Sequence, residues 1–565
     1  MKKTSLITGL ALASAVTLCG GLVSAQKSHD AALARHLNTF NTIVKQIELL
    51  YVDSINTDQS FKSAIAAFLS STDPYTEYYN AEDQEKLTKM TSGEYSGIGS
   101  YLIERDKGSY VAQPIEGSPA AKAGLRPGDH IIRVDSTDVS QTGTERVSKL
   151  LKGIPGTSVT VTVDRPYVTD SILTFTIQRG KVVEPSVPYH TVIGNTGYVR
   201  LTSYIDKSPG EIKSVLEEFK TDPRVKNIIL DLRGNGGGLV ESAVDIVGYF
   251  VPKGTEVLRT KGKTAAQERI YKTQYSPIFP DIPLAVLIDG GSASAAEITA
   301  GALQDLDRAV LVGSRSFGKG LVQSPVQLPN GDMLKVTTAK YHLPSGRLIQ
   351  AIDYSHRNAD GSVARVPDSL TNVFKTIHGR EVRDGGGLRP DSTVDWGRVN
   401  RLVYNIVADN WAFDFANKFA AKHPAIPAAE DFEITDEIYA DFKKSIDPEK
   451  FKYDKVCEEM VKQLRETTES EGYMNDETKA QLDTLARLLT HNLEKDLDKN
   501  RDEIAEYVGS EIVSRYYYDR GKMAYELKAD KGVKKALEIL DNPALYSKIL
   551  AGEKQAVAAK KSGKK

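Results

Sequence analysis

Cysteine is the scarcest reactive residue in this sequence, which has only Cys19 and Cys457 among its 565 residues. Cys19 falls within an apolar leader that we expect to be cleaved, so the processed chain would hold a single thiol. One thiol forms no internal disulfide. A folded structure must therefore rest on packed apolar cores, and a chain of this length should form several of them.

The sequence also lacks an excess of either charge. Its 73 Lys and Arg residues and 75 Asp and Glu residues leave a formal net charge of -2. A basic excess is what draws proteins to nucleic acid or anionic membrane, so this balance predicts neither partner. Beyond the N-terminal leader, no apolar run approaches the ~20 residues that a membrane-spanning helix needs.

The N-terminal segment MKKTSLITGLALASAVTLCGGLVSAQ has the pattern of a secretory signal. Lys2 and Lys3 give it a basic start, a short apolar run follows, and small residues end at Ala25. The pattern predicts cleavage after Ala25 and export to the periplasm. A lipoprotein signal that uses Cys19 is the alternative, but Leu18 occupies a position where a small residue is expected.

The chain beyond this signal, residues 1–25, divides into four parts. Residues 26–92 have helical apolar spacing, and residues 93–183 have short strand-like runs broken by glycine and proline. Residues 184–400 alternate runs such as NIILDLR and LAVLID with helical stretches, which predicts an α/β core with a mixed sheet. Residues 401–565 are charged, helical in pattern, and end in the basic tail AAKKSGKK. The predicted fold class is multidomain α/β with helical regions at both ends.

The stretch GSRSFGKGL, residues 313–321, has the glycine and lysine spacing of a phosphate-binding loop. Such a loop needs Ser or Thr after the lysine to hold magnesium, and a helix must follow. Here Gly320 follows Lys319, and the chain continues as LVQSPVQLPNGDMLKV, whose prolines and alternation are typical of a strand. No nucleotide site is predicted, and Lys319 must serve another chemistry.

Two stretches of residues 93–183 suggest a binding loop, EYSGIGSYL and GSPAAKAGLRPGDHIIRVD. Taken alone, Gly97 and Gly99 could simply permit a tight turn. Together the stretches resemble a PDZ domain, in which a glycine-containing loop presents backbone N–H groups to the terminal carboxylate of a peptide. The resemblance assigns that role to Gly97, Ile98 and Gly99, and it implies protein or peptide partners with free C-termini.

Two further stretches place polar chemistry at strand-to-helix junctions. In LDLRGNGGGLVESA, glycines 236–238 can point N–H groups at an anion, although a flexible turn is the alternative. In DGGSASAAEITAGALQDL, Ser294 opens a helix with Glu297 three residues on, which is the spacing of a capping box. A helix N-terminus also favours negative charge developing at that hydroxyl. One helix and one returning strand fit between Ser294 and Lys319, so both can reach the same end of the sheet.

From DPYTEYY at Asp73 to GGGLRPD at Asp391, the sequence resembles the carboxyl-terminal processing proteases, serine peptidases of family S41 that use a Ser/Lys dyad. The resemblance implies a nucleophile at the second serine of GSASAAEI, Ser294, rather than at Ser292. It implies a base at the lysine of FGKG, Lys319, and neither metal nor cofactor. The remaining implied site residues are Gln323, which positions the lysine, and the oxyanion-hole N–H groups of Ala295 and of either Gly237 or Gly238.

The sequence departs from the family pattern at two positions. Gly236 stands where proline is usual, which should loosen the glycine loop, and Ala296 replaces a usual serine. The implied function is an exported endopeptidase that cleaves proteins near their C-terminal tails. A catalytically inactive PDZ scaffold on the same fold is the alternative. The presence of both Ser294 and Lys319 favours the enzyme.

The region 401–565 lies outside the resemblance. Its apolar residues recur at spacings of three and four, and such a stripe must be buried against something. It packs either within its own helical domain, or against the protease core or a second subunit, and the last arrangement would make the chain a homo-oligomer. The residues of the stripe are Leu482, Leu485, Leu488, Leu489 and Leu493.

Overall fold

The computed structural model describes residues 30–80, 83, 88, 90–358, 362–398, 400–452 and 455–552. The predicted signal, residues 1–25, and the basic tail lie outside the described residues. The chain divides after Tyr78 into two compact units. Across the described parts of the chain, no helix combines the length and the apolar content that crossing a membrane requires.

The first unit is helical, as the sequence predicts. It contains α1 at residues 30–50 and α2 at Thr57–Ser70. Asn56 caps α2, because its side chain accepts a hydrogen bond from a backbone N–H of the first turn at 3.0 Å. Phe40 and Phe61 join the two helices edge to face, with ring centroids 6.2 Å apart.

A small β-rich domain with two short helices comes first in the second unit, as expected of a PDZ domain. After β1 (Glu77–Tyr79), its elements are β2 (Glu94–Gly97), β3 (Ser100–Arg105), β4 (Gly108–Pro114), α3 (Pro119–Ala123), β5 (His130–Val134), β6 (Thr137–Asp138), α4 (Thr144–Leu151), β7 (Ser158–Asp164), β8 (Ile172–Gln178) and β9 (Gly180–Val183). The main sheet has the order β3-β4-β5-β7-β8, and β2 pairs with β9. Val111, Ile131 and Val147 are fully buried at its centre.

The middle of the second unit is the predicted α/β core. Its elements are β10 (Tyr189–Ile193), β11 (Thr196–Arg200), α5 (Ser208–Thr221), β12 (Asn227–Asp231), α6 (Val240–Gly248), β13 (Glu256–Gly262), β14 (Arg269–Lys272), β15 (Leu284–Ile288), α7 (Ala295–Asp305), β16 (Val310–Gly313), β17 (Leu321–Gln327), β18 (Met333–His342), β19 (Ile352–Arg357), β20 (Val363–Arg365), β21 (Val373–Lys375), β22 (Glu381–Arg383) and β23 (Ser392–Thr393). The main sheet has the order β10-β11-β12-β15-β16-β23. It is mixed as predicted, because β10 and β11 are antiparallel and the other neighbours are parallel.

The chain after Lys319 forms a strand, as the sequence predicts, and not the helix that follows a phosphate-binding loop. β17 begins at Leu321 and pairs with β18. β18 also pairs with β13, and β13 pairs with β14, so these four strands form an antiparallel arrangement beside the main sheet.

The rest of the described chain is helical. Its helices are α8 (Arg401–Ala408), α9 (Trp411–Lys422), α10 (Asp436–Ser445), α11 (Val456–Ser470), α12 (Asp476–Leu489), α13 (Leu493–Lys499), α14 (Arg501–Leu527), α15 (Lys531–Leu540) and α16 (Pro543–Leu550). α14 is interrupted at Tyr518, whose φ of 54° is not helical. Residues on both sides of this interruption, such as Ile512 and Ala524, are buried in the same apolar core.

The main sheet has two apolar faces with different covers. Successive residues of β15 alternate between them: Val286 belongs to a core formed with α5, α6 and α7, and Leu287 belongs to a core formed with the C-terminal helices. Phe442 of α10 and Ile512 of α14 are fully buried in that second core. Of the arrangements left open by the sequence, the helical region therefore packs against the α/β core.

The prediction that the leucine stripe is buried is wrong in part. α12 ends at Leu489 and α13 begins at Leu493, so two helices share the stripe. Leu482 is buried, but Leu488 is 67% exposed, and Leu485 and Leu489 are 37% and 36% exposed. The helical spacing is correct. Among the described residues, α12 packs chiefly against α11, and this neighbour covers only part of its apolar face.

Candidate active site

Three neighbouring parallel strands end at one edge of the main sheet, and each is followed by a segment that the sequence assigns to the site. The glycine loop follows β12, Ser294 follows β15, and Lys319 follows β16. Ligands in α/β proteins commonly bind outside the carboxyl ends of such strands. A backbone hydrogen bond of 3.0 Å from the Phe317 N–H to the Ser292 carbonyl joins the second and third segments.

Ser294 stands at the N-terminus of α7 in a strained backbone conformation. Its φ is 55° and its ψ is -115°, a region that residues other than glycine rarely adopt. Its side chain is half-buried. Ser292, by contrast, is fully buried, and its hydroxyl donates to the Leu232 carbonyl at 2.8 Å. Ser292 therefore stabilises the turn, whereas Ser294 occupies the end of the helix that faces the sheet edge.

Glu297 joins the serine turn, residues 289–294 between β15 and α7, to the lysine loop, residues 314–320 between β16 and β17. Its Oε2 accepts hydrogen bonds from the backbone N–H groups of Ser294 at 2.9 Å and of Lys319 at 2.8 Å. Its Oε1 accepts from the Gly318 N–H at 2.7 Å and from the Ser316 hydroxyl at 2.5 Å. A single carboxylate oxygen therefore bridges the backbones of the two residues that the sequence assigns to the dyad.

The environment of Glu297 alters its acidity. Burial raises the pKa of the Glu297 carboxyl from its ordinary value of 4.5 to about 7, against the opposing effect of its hydrogen bonds. Sequence reasoning found only half of its role, since the capping-box spacing predicts the bond to Ser294. The bonds to Gly318 and Lys319 gave no signal, because those residues lie 21 and 22 positions further along the chain.

Lys319 lies on the loop between β16 and β17, and its side chain is half-buried. The preceding residue, Gly318, fixes this loop: its N–H binds Glu297, and its carbonyl accepts from the Ala351 N–H at 2.8 Å. Gly318 has a φ of +90°, and a Cβ there would lie 2.4 Å from the Ala351 Cβ. Only glycine fits this approach, so the loop that carries Lys319 requires glycine at position 318.

Gln323 lies on β17, four residues after Lys319. Its side-chain amide donates to the Thr337 hydroxyl of β18 at 3.1 Å, which fixes its orientation within the antiparallel strands. Its implied role of positioning the lysine stays a prediction.

Asn235 organises the glycine loop, and sequence reasoning missed it. The side chain is fully buried; its amide donates to the Leu201 carbonyl at 2.8 Å, and its Oδ1 accepts from the Gly237 N–H at 2.8 Å. Its carbonyl accepts from the Ala293 N–H at 2.9 Å, which joins the glycine loop to the serine turn. These bonds oppose the loosening expected from Gly236. An asparagine beside glycines gave no sequence signal, because the same pattern is typical of ordinary turns.

Gly237 and Gly238 use their N–H groups differently. Gly237 has a φ of +97°, and a Cβ there would lie 2.8 Å from the Ala295 nitrogen, so only glycine lets the loop approach the serine turn. Its N–H is donated to Asn235. The Gly237 carbonyl accepts from the Tyr204 N–H, and the Leu239 N–H donates to the Tyr204 carbonyl. The Gly238 N–H between them therefore points away from Tyr204. Among the residues that the structure describes, the N–H groups of Gly238 and Ala295 donate to no protein acceptor.

The predicted carboxylate loop of the PDZ domain lies between β2 and β3. The carbonyl of Ile98 accepts from the Ala120 N–H at 2.7 Å, and that of Gly99 accepts from the Ser118 hydroxyl at 2.8 Å. In the described part of the chain, the N–H groups of Ile98 and Gly99 have no protein acceptor. A cleft of about 410 Å³ lies beside them, between β3 and α4, and its lining includes Gly97, Leu102, Ser148 and Leu151.

Sequence comparison divides the second unit in the same way as its architecture. Residues 195–355 match peptidase family S41, and residues 110–165 match the PDZ domain. Residues 402–540 match the C-terminal helical domain described for probable PDZ-proteases. The helical region that the sequence resemblance did not reach is therefore similar to a domain of other proteins of this type.

Two solved structures are similar to parts of this chain. The photosystem II D1 C-terminal processing protease is 27% identical over 63% of this chain and 86% of its own, with a TM-score of 0.36. A PDZ domain of a carboxy-terminal protease from Vibrio cholerae, solved in complex with a peptide, is 32% identical over 16% of this chain and 97% of its own, with a TM-score of 0.15.

Curated relatives cover more of the chain. A probable CtpA-like serine protease of Staphylococcus haemolyticus is 29% identical over 437 residues, 75% of this chain and 85% of its own length. A carboxy-terminal-processing protease of Bartonella bacilliformis is 35% identical over 322 residues, 56% of this chain and 73% of its own length. At that identity and coverage, the chain belongs to the carboxy-terminal-processing serine proteases of peptidase family S41.

Proposed function

We propose that this chain is an exported endopeptidase that cleaves proteins near their C-termini, with Ser294 as nucleophile and Lys319 as general base. The observation that carries the proposal is the Glu297 carboxylate, which accepts hydrogen bonds from the backbones of both residues. Loops that follow two different strands are thereby held together at one edge of the sheet, where a serine hydroxyl and a lysine amine can share a proton.

The chemistry requires a neutral amine. A serine hydroxyl is a weak nucleophile until a base takes its proton, and lysine, with an ordinary pKa near ~10.4, must first lose its own. Exclusion from water disfavours the ammonium form, and the proposal requires that the half-buried Lys319 be neutral when it acts. The Ser294 oxygen then attacks the carbonyl carbon of the scissile bond while the Lys319 amine accepts the hydroxyl proton. Lys319 passes that proton to the leaving nitrogen as the C–N bond breaks.

Release of the acyl group completes the cycle. Water attacks the ester at Ser294, Lys319 accepts a proton from that water, and the serine oxygen regains a proton as it leaves. Each attack places negative charge on the substrate carbonyl oxygen. N–H groups without a protein acceptor are the donors suited to that oxygen, and those of Ala295 and Gly238 fit this requirement better than that of Gly237, which binds Asn235.

The PDZ domain supplies substrate capture in this proposal. Two adjacent N–H groups, those of Ile98 and Gly99, lie at the head of the cleft between β3 and α4. A peptide that adds a strand along β3 would place its terminal carboxylate at these groups. The same loop includes Gly97 at the end of β2. Specificity for free C-termini follows, because an internal peptide segment has no carboxylate to bind there.

The dyad is tested by a lysine-to-arginine pair. Lys319→Arg should abolish peptide hydrolysis while the protein stays folded, because a guanidinium does not lose its proton. Lys340→Arg, on the exposed part of neighbouring β18, is the matched control and should keep wild-type activity. Ser294→Ala should also be inactive. Appreciable hydrolysis by purified Lys319→Arg, free of wild-type protein, would overturn the dyad.

Substrate capture and export have separate tests. Amidating the C-terminus of a peptide substrate should raise KM, and equal kinetics for the amide and the free acid would remove the PDZ loop from the mechanism.

Export predicts that the mature protein recovered from the periplasm begins at Gln26. N-terminal sequencing checks this, and a mature chain beginning at Cys19 would establish the lipoprotein alternative.

A further inference from the structure

The glycine loop is held from the C-terminal helical domain as well as from its own sheet. Arg233 lies between β12 and the glycine loop, and its guanidinium reaches Asp530 at the N-terminus of α15. Nη1 of Arg233 donates to Asp530 Oδ1 at 3.0 Å, and Nη2 lies 2.8 Å from Oδ2. This two-point contact joins residues 297 positions apart in the chain.

The contact belongs to a charge cluster that is neutral only when Asp530 is present. Asp231, at the end of β12, is fully buried and accepts from Arg233 Nε at 2.9 Å and from Nη2 at 2.6 Å. Arg200 lies 3.3 Å from the same carboxylate. Two guanidinium groups thus face two carboxylates. Removing one partner of a buried ion cluster leaves an uncompensated charge, which is strongly destabilising.

The first turn of α15 also closes around the guanidinium. Arg233 is 11% exposed and lies over the ring of Trp396, with its Cζ 5.6 Å from the ring centroid. A Cβ on Gly532 would lie 2.9 Å from Trp396 and 3.1 Å from an Arg233 nitrogen. Trp396 and the first turn of α15 therefore pack closely against the Arg233 side chain.

We propose that Asp530 is a positioning residue for the proposed oxyanion hole, acting through Arg233. The Arg233 backbone leads within two residues to Asn235, whose carbonyl and side chain bind the serine turn and Gly237. Fixing Arg233 from both sides fixes the starting point of that loop. The C-terminal helical domain is thereby part of the catalytic apparatus. This inference rests on the proposed function, because it assigns Asp530 to the geometry of that site.

The test separates positioning from helix capping. Asp530 Oδ1 also accepts from the Val533 N–H at 2.9 Å, so the variant must keep a cap. Asp530→Asn and Asp530→Ser both retain a capping oxygen and lose the charge. Asp530→Glu restores the carboxylate. The matched control is Asn542→Ala, which removes the side-chain cap of the next helix, α16, without touching Arg233.

Four quantities are measured for each variant: kcat for a free-acid peptide, KM for the same peptide, inhibition by the corresponding peptide aldehyde, and melting temperature. The aldehyde forms a tetrahedral adduct with the serine hydroxyl, so its affinity reports on the oxyanion hole. For Asp530→Asn we expect kcat to fall about tenfold, KM to stay within about twofold, and the aldehyde to bind weaker by the same factor as kcat; loss of a whole oxyanion donor typically costs ~10²–10³. Asp530→Glu should recover part of kcat, and Asn542→Ala should keep all of it.

Folded Asp530→Asn with wild-type kcat would overturn the inference, and so would an equal loss of kcat in Asn542→Ala. A rise in KM alone would also contradict it, since that change reports substrate binding. If Asp530→Asn does not fold, Asp530→Ser decides the matter by the same measurements. Failure of the dyad is distinguishable, because it appears as activity in Ser294→Ala or in Lys319→Arg. Failure of the Asp530 inference appears in an enzyme whose Ser294→Ala and Lys319→Arg variants are both inactive.

Discussion

The two faces of the main sheet are covered by helices from different parts of the chain. α5, α6 and α7 cover one face, and each lies in the chain between two strands of the sheet that it covers, with β13 and β14 inserted after α6. The other face is covered by helices that come after residue 400. Residues on both faces are fully buried, since Leu230 on the first face and Leu287 on the second are each 0% exposed. The stretch of chain that carries Ser294 and Lys319 is therefore not a complete fold by itself, because parallel sheets must be covered on both faces.

The largest effect is expected when the C-terminal helices that cover the second face of the sheet are removed. Deleting residues 401–565 exposes Tyr198, Ile229, Leu287 and Val312, which are 2%, 0%, 0% and 0% exposed in the full chain. We expect this truncation to give insoluble protein without a cooperative melting transition, as measured by soluble yield and circular dichroism. Deleting residues 553–565 alone, which keeps α8 to α16, is the control and should leave both unchanged. A soluble, cooperatively melting core would contradict the comparison.

The two faces can also be compared one side chain at a time. Leu230→Ala and Leu287→Ala remove the same atoms from opposite faces, and each should lower the free energy of unfolding by about 2–5 kcal/mol. Urea unfolding followed by circular dichroism measures both. A loss below about 1 kcal/mol for Leu287→Ala beside a full loss for Leu230→Ala would mean that the C-terminal helices lie only loosely on the sheet.

Glu297, at the sheet edge where Ser294 and Lys319 lie, also contributes to the free energy of unfolding. The pKa of its carboxyl is raised to about 7 in the folded protein from an ordinary 4.5, so the folded state binds the proton more tightly. Its contribution to stability is therefore fully present below about pH 4.5 and is lost as the pH rises to about 7. Relative to Glu297→Gln, the free energy of unfolding of the wild type should fall over that window by on the order of 3 kcal/mol.

The measurement is the difference between the two unfolding free energies at several pH values from 4 to 8. The difference should level off above pH 7, where the wild-type carboxylate is ionised in both states. Parallel curves for the wild type and Glu297→Gln would show that this carboxyl does not titrate in the window.

The smallest effect is expected on α12, whose residues Leu482 and Leu488 belong to neither of the two apolar cores that cover the sheet. Leu488 is 67% exposed, so Leu488→Ala should change the free energy of unfolding by less than about 0.5 kcal/mol. Leu482→Ala, from the buried part of the same helix, should cost more than about 1 kcal/mol. Equal losses at the two positions would show that a partner covers Leu488 in solution.

Much of the sheet edge that carries Ser294 and Lys319 could be predicted from the sequence, because the patterns that predict it involve neighbouring residues. A buried run such as LAVLID before SAAEITAGALQDL predicts a strand, a turn and a helix, and the structure has β15 and α7 there. The strand after Lys319 was predicted from prolines and alternation in the same way. Ser294 and Lys319 were singled out by motif and by spacing along the chain.

The rest could not be predicted, because it depends on contacts between distant segments. A strand buried on both faces reads as one apolar run, so nothing in β15 distinguishes Val286 from Leu287 or says which helix covers each. Glu297 showed only the spacing of a helix cap, although three of its four hydrogen bonds at the site go to the lysine loop. The contact of Arg233 with Asp530 lies beyond any pattern that neighbouring residues carry.

The backbone of Ser294 matters for any attempt to engineer this chain. A φ of 55° with a ψ of -115° suits glycine and strains every other residue, by on the order of 1–3 kcal/mol. Glycine at position 294 would relax the turn and abolish the hydroxyl in a single change. Under the proposed mechanism, a laboratory selection for heat tolerance alone would therefore favour an inactive glycine variant at position 294, whereas a selection that also demands peptide hydrolysis would retain the serine.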